Sequence, residues 1–262
     1  MILSWLGLIL GIGSILLGNF IEGGHIDSLI QPTAAMIVFG GTMGCTFLAA
    51  TQKEFIMCLK MTPKAFFKGK PKFDALVKEL LELSAVARRE GVLALDGKLR
   101  AIKNQFLKSN LRHIVDGYDP TVLKEMMEES IHHEEEEKNA AVKLWETAGG
   151  FAPTIGILGA VLGLIHVMAN LSDSSKLGAG IAVAFVATVY GVGSANLIFL
   201  PLGNKLKKMV KDEITELKLI YTALLGLQGG LNPRIIEDQM ANVMGEHTVE
   251  SKEGGGEMKK AA

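Results

Sequence analysis

His132 and His133 stand directly before Glu134, Glu135, Glu136 and Glu137, a run of side chains that could ligate a metal ion if they converged. They do not. Successive helical residues point about 100° apart, so the two imidazoles cannot share one ligand sphere, and the acids read as a solvated helix surface. Cys45 falls within an apolar run and Cys58 just after it, which suits two reduced thiols and no structural disulfide. Gly11-x-Gly13 lies inside another apolar run and reads as a membrane glycine pair, not a nucleotide loop. The sequence carries no P-loop, zinc-type Cys/His spacing or nucleophile elbow. No metal, cofactor or enzymatic activity is expected.

The remaining chemistry is that of ions, and it is defined by where charges are missing. The 262 residues include 27 Lys/Arg and 28 Asp/Glu, for a net charge of −1 and a pI near 6.6, which speaks against a nucleic-acid partner. A mean hydropathy of +0.30 and 30 glycines are unusual for a water-soluble chain with 21% charged residues. Segments 52–148 and 204–262 hold 26 of the basic and 25 of the acidic residues, leaving only Glu22, Asp27, Asp173 and Lys176 elsewhere. Four uncharged runs result, at 1–21, 31–52, 147–172 and 177–204. Each meets the ~20 residues a helix needs to cross hydrocarbon, so four transmembrane helices are expected. Membrane proteins that bind and release ions need an acid or histidine at depth. His166 sits toward the outer end of the third run and reads as interfacial. Any ion moved here must therefore use a carboxylate supplied by a partner.

The positive-inside rule orients the spans. Lys53, Lys60, Lys64, Lys68, Lys70 and Lys72 follow the second run, and Lys205, Lys207, Lys208 and Lys211 follow the fourth. Both termini and the 52–148 segment are expected in the cytoplasm, with short loops at 22–30 and 173–176 outside. The first run lacks a basic n-region and a convincing cleavage site before Glu22, and is expected to be retained. The organisation is then 1–51 as spans 1 and 2, 52–148 as a helical cytoplasmic domain, 149–203 as spans 3 and 4, and 204–262 as a helical tail. Phe73, Leu76, Val77, Leu80 and Leu81 recur at helical spacing up to a terminator at Gly91. Asp119-Pro120 is a cap followed by Pro at the first helical position, and nothing breaks a helix from there to Trp145. At 1.5 Å per residue that piece extends ~40 Å and feeds the third span. Leu206, Met209, Val210, Ile214, Leu217 and Tyr221 continue the fourth span as an amphipathic stripe to Gly226. Asn232-Pro233 opens a last short helix, with disorder expected from about 246. The class is all-α.

Small residues mark helix contacts in lipid, where close packing replaces the hydrophobic effect. Gly7-x-x-x-Gly11, Gly40-x-x-x-Gly44 and Gly159-x-x-x-Gly163 fit that pattern. Pro153, Gly156, Ala160 and Gly163 share one face of the third span, and Ala184, Thr188, Gly191 and Ala195 one face of the fourth. Such faces either join helices of one subunit or present a smooth surface to another helix.

Several segments together resemble the MotA/PomA family of bacterial flagellar motor stator subunits, over nearly the whole chain to about residue 245. They are 87–96 (Ala-Arg-Arg-Glu-Gly-Val-Leu-Ala-Leu-Asp), 152–156 (Ala-Pro-Thr-Ile-Gly), Gly163-Leu164-Ile165-His166, Tyr190-Gly191 through Pro201-Leu202, and Asn232-Pro233-Arg234. The resemblance implies a pentameric ring around two helices of MotB, whose Asp carries the ion that this chain lacks. It implies multi-pass insertion in the inner membrane, among lipid, and torque on the rotor protein FliG. By the same resemblance Arg88 and Asp96 contact the rotor, and Pro153 and Pro201 take part in coupling. Without it, Arg88 and Asp96 would read as ordinary solvated charges.

Ala160 stands where sodium-type relatives carry a mid-span Thr, whereas Thr188 keeps the hydroxyl of the fourth span. A dehydrating sodium ion needs oxygen ligands, so the loss favours H+ over Na+. Thr188 would then be the mid-depth hydroxyl able to hold a water or ion, unless it only bonds back to its own helix. Two other readings are an energiser of envelope transport of the ExbB/TolQ type and a non-transporting membrane scaffold. Four spans and the 87–96 segment disfavour the former.

Overall fold

The computed structural model describes residues 2–67, 69, 73–171 and 174–256. Lys68, Lys70, Lys72 and Asp173 of the topology argument, and the last six residues, lie outside them. Helices account for the architecture, and no strand occurs among the described residues. The chain divides into two compact units, 1–69 with 138–207 and 70–137 with 208–262. These boundaries differ from the charge boundaries at 52, 149 and 204.

The first unit opens with α1 (Ile2–Ile21), whose apolar stretch contributes no buried residue. The second apolar run forms α2 (Pro32–Ala35), a π-helical turn (Met36–Gly40) and α3 (Gly41–Leu48). Helical dihedrals at Met36 and Gly41 keep that rod continuous through its wide turn. α4 (Gln52–Phe67) starts with a reciprocal cap. The Thr51 amide donates to Glu54 at 2.8 Å, and the Glu54 amide donates to the Thr51 hydroxyl at 3.4 Å. Its inner face buries Cys58, Met61 and Ala65, and burial pushes the Cys58 thiol up, with the Thr62 hydroxyl partly offsetting this. The Trp145 indole donates to the same hydroxyl at 3.0 Å, which ties α4 into the first unit.

α7 (Pro120–Ala169) is one unbroken helix of 50 residues. Asp119 caps it as expected, accepting from the amides of Thr121 and Val122 at 2.8 and 3.3 Å. α8 (Ser174–Ser194), a second π-helical turn (Ala195–Phe199) and α9 (Leu200–Gln228) form another long rod. Pro201 explains that turn. Its ring excludes the Leu197 carbonyl, four residues back, and supplies no amide, so the helix widens there instead of breaking. Among the described residues, three helical segments, Leu3–Ile21, Pro120–Ala169 and Leu177–Gln228, are long and apolar enough to cross a membrane. The second run is helical at 32–48 but divided by its π turn.

The second unit packs α5 (Phe73–Glu90), a 3₁₀ segment (Val92–Lys98), α6 (Gln105–Val115) and α10 (Pro233–Gly256) with parts of α7 and α9. Leu80, Leu95, Leu107, Leu111, Leu123 and Leu224 are central in its core. Gly91, at φ +84°, ends α5 as the sequence indicates. Gly226 is not the end of α9, which continues to Gln228, and the chain turns at Gly230 with φ +67°. A Cβ on Gly226 would lie 2.8 Å from Ile236, so this glycine makes room for α10. The Tyr221 hydroxyl donates to Glu128 at 2.5 Å. Burial, followed by the Glu128 carboxylate, pushes its pKa up to about 12. α10 is longer than the short helix expected, and its backbone runs into the tail read as disordered. Glu and Lys, frequent there, are good helix formers.

Candidate functional site

Within the first unit, α7 and α8 meet along a seam with almost no side chains in it. A Cβ on Gly156 would stand 2.9 Å from the Ala187 carbonyl oxygen and 3.1 Å from the Gly191 Cα. One on Gly191 would stand 2.5 Å from the Ala152 carbonyl oxygen, and one on Gly163 would meet Ala184 and the Gly180 carbonyl at 2.8–2.9 Å. Only glycine permits this approach. The buried stripe of α7 is thus Ala152, Gly156, Gly159 and Gly163, matched by Gly180, Ala184, Ala187 and Gly191 of α8. Of the two small-residue faces seen in the sequence, Gly156, Gly163, Ala184 and Gly191 join the helices of one chain. Ile37, from the first π turn, reaches the same seam beside Gly159.

Ala160 and Thr188 flank the seam, both half-buried. The Thr188 hydroxyl donates to the Ala184 carbonyl at 3.3 Å. That commits its proton but leaves oxygen lone pairs able to accept from a water or meet a cation. His166 is exposed near the end of α7.

The two prolines belong to connected surroundings. Pro153 leaves the Gly149 carbonyl without its helical donor, and Leu200, the neighbour of Pro201, fills the space beside Gly149, 2.5 Å from an added Cβ. Around this crossing Ala148, Ala152, Ala195 and Phe199 form a small core, with the Trp145 ring tilted against Phe199 at 5.7 Å between centroids.

Sequence reasoning assigned Tyr190 no role beyond a motif. Its hydroxyl donates to the Leu29 carbonyl at 2.5 Å and accepts from the Gln31 amide at 3.3 Å, which fastens the turn before α2 onto α8. A phenol inside an apolar run was the available signal, since its polar tip needs partners. Lys205 reaches the Ser4 hydroxyl and lies over the Phe66 ring at 5.7 Å.

Arg88, at the end of α5, and Asp96, in the 3₁₀ segment, are exposed in the second unit. Neither side chain forms a hydrogen bond or ion pair among the described residues, so both charges are free for a partner. His132 and His133 pair with Glu136 and Glu137 at 3.2 and 3.9 Å along α7, and no metal-ligating cluster forms among the described residues. Cys45 and Cys58 are free.

Comparison with known proteins covers almost the whole chain. The family model of the MotA/TolQ/ExbB proton channel family matches residues 98–219, and that of the motility protein A N-terminal region matches residues 5–91. Motility protein A of Helicobacter pylori is 38% identical over 245 residues, covering 90% of this chain and 92% of the relative. A solved MotAB structure from C. jejuni superposes with a TM-score of 0.86 at 32% identity, over 92% of this chain and 94% of that one. The flagellar MotAB stator complex from Bacillus subtilis gives 0.80 at 30% identity, over 90% and 93%. These matches bear out the resemblance drawn from the loop and span segments, and the chain belongs to the motility protein A branch of the MotA/TolQ/ExbB proton channel family.

Proposed function

We propose that this chain is the ring-forming subunit of a proton-driven flagellar stator. With a MotB-type single-span partner, whose membrane Asp holds the proton, it converts proton flow across the inner membrane into torque on FliG. One observation carries the reading: the apolar runs contain no Asp, Glu, Lys or Arg in a chain that matches solved MotAB complexes over nine-tenths of its length. Such a complex needs an acid at depth, and a second polypeptide must bring it. Lysines at the cytoplasmic ends support a topology of four spans with both termini inside the cell. The apolar sides of α1, including Leu3, Ile9 and Phe20, are exposed and suit contact with lipid or neighbouring copies in a pentamer.

In the proposed path, Ala160 and Thr188 border the partner helix, Pro153 and Pro201 pass the movement along α7 and α9, and Arg88 and Asp96 meet the rotor. Ala160 brings no oxygen, which disfavours a dehydrated sodium ion and favours a proton carried through water to a carboxylate. If Thr188 holds that water, Thr188→Ala removes an interaction of about 1 kcal/mol, enough for roughly a fivefold fall in flux. Proton flux and stall torque should both fall while membrane abundance stays level, and Thr188→Ser should restore most of each. Ala160→Leu should stop rotation by obstructing the partner helix. Normal swimming by both Thr188→Ala and Ala160→Leu would remove these residues from the path.

The test of function is expression of this chain and its partner in a flagellated strain lacking stators. Rotation of otherwise paralysed, fully built flagella is expected. Rescue of envelope transport instead would favour the ExbB/TolQ reading, and neither effect would favour a scaffold.

A further inference from the structure

On one side of the seam between α7 and α8, polar groups continue past Thr188. Thr188 follows the seam residues Ala187 and Ala184 by one and four positions, and Ala160 follows Gly159 and Gly156 by the same steps. The two helices run antiparallel, since Gly156 meets Gly191 while Gly163 meets Ala184, so equal steps from both stripes lead to the same side. Helical spacing extends that side from Thr188 through Val192 to Asn196, and from Ala160 through Pro153 to Glu146. Of the polar side chains at 177–203, Thr188 and Tyr190 are half-buried and Ser194 is buried, whereas Asn196 is exposed. The Asn196 amide donates once, to the Val192 carbonyl at 2.9 Å, which leaves one N–H and the carbonyl oxygen without a partner among the described residues. About 12 Å of helix separates it from Thr188, and a similar length leads on to Lys205. Glu146 closes the same side. It is half-buried, its Cγ lies 3.2 Å from a Cβ added to Gly203, and its carboxylate is 3.9 Å from Lys207.

We propose that this side of the seam is the water-filled exit of the path, and that Asn196 is its water-holding station between the partner's Asp, level with Thr188, and the cytoplasmic rim at Glu146 and Lys207. The proposal rests on the stator reading above and adds the route by which a proton leaves. Asn196 exchanges no proton of its own. It accepts from one water through its oxygen and donates to another through its spare N–H. A proton released by the partner's carboxylate, which is left ionised, then hops from water to water past Asn196 and ends as hydronium in the cytoplasm. An exposed primary amide with a donor and an acceptor unmatched is costly against hydrocarbon, so lipid does not suit this face. A partner helix that the ring turns around cannot keep one fixed bond to the amide, whereas water re-forms its bonds at every step. Asn196 also falls in the π turn at Ala195–Phe199, the kind of local widening that recurs at functional positions.

The test uses the full chain with its partner. In a complex that still rotates flagella after Cys45→Ala and Cys58→Ala, Asn196→Cys is treated with a charged, membrane-impermeant thiol reagent from the cytoplasmic side of inverted membrane vesicles. It should react at least about tenfold faster than Ile9→Cys, on the exposed apolar side of α1, because a thiolate forms only in contact with water. Asn196→Leu, of similar size but without the amide, should lower proton flux through the reconstituted complex and stall torque roughly fivefold. Membrane abundance and co-purification with the partner should stay level. Asn196→Ser, which keeps an oxygen able to hold water, should recover most of both. Labelling of Asn196→Cys no faster than Ile9→Cys would overturn the proposal, as would wild-type flux and torque in Asn196→Leu. So would losses in Asn196→Ser equal to those in Asn196→Leu. Loss of partner co-purification in Asn196→Leu would overturn it as well, by making the amide a contact to the partner's helix. Failure of the unaltered complex to conduct protons or rotate any flagellum would count against the stator reading instead.

Discussion

Gly191→Val should abolish motility and strip most of the protein from the membrane. The expectation follows from which atoms a new Cβ meets: the Ala152 carbonyl oxygen at 2.5 Å and the Gly156 Cα at 2.9 Å. Both are backbone, so no rotamer change relieves the contact, and α7 and α8 must separate along the seam. Overpacking commonly costs about 1–3 kcal/mol, and ~2 kcal/mol shifts a folding equilibrium roughly 30-fold. Gly191→Ala should be partly defective. Gly193→Ala is the control, because its Cβ would meet nothing within 4 Å. Quantitative immunoblotting of membranes with swimming speed checks the set. An abundant, motile Gly191→Val protein would refute the seam as the element that holds the two helices together.

Purified chain alone, reconstituted into liposomes, should conduct no protons. An ionised group at the centre of a span costs several kcal/mol, and this chain places none in its apolar runs. Adding the partner, in a form freed for conduction, should produce a proton flux that disappears when the partner's membrane Asp becomes Asn. That is an all-or-none difference, larger than the graded effect at Thr188. Flux through the chain without the partner would show that its own groups suffice.

Local signals in the sequence were reliable where a single residue decides the backbone. Asp119-Pro120 marked the start of α7, and Gly91 the end of α5, because a cap and a positive φ are properties of one position. Gly226 misled for the opposite reason: its glycine serves the packing of Ile236, a contact with another helix that no local pattern encodes. The seam was half legible. Gly156, Gly163, Ala184 and Gly191 were on the chosen faces, but Ala152, Gly159 and Ala187 complete the contact, while Ala160 and Thr188 lie at its edge. Small residues surround both helices on more than one side, so periodicity alone cannot select which stripe meets the neighbour. Of the two π turns, Pro201 accounts for one, whereas Met36–Gly40 contains no proline and ends on the Gly40-Gly41 pair. Tyr190 carried a signal that went unread, a hydroxyl requiring partners in an apolar run.

The central claim is that this subunit, with its partner, turns proton flow into rotation. It is tested most directly by the speed of a bead on a single flagellum in stator-less cells carrying both proteins, with the proton and sodium gradients varied independently. Speed should track the proton-motive force, persist when external sodium is removed, and fall to zero on collapse of the proton gradient. Rotation that follows sodium while the proton gradient is absent, or a built flagellum that never turns, would contradict the account.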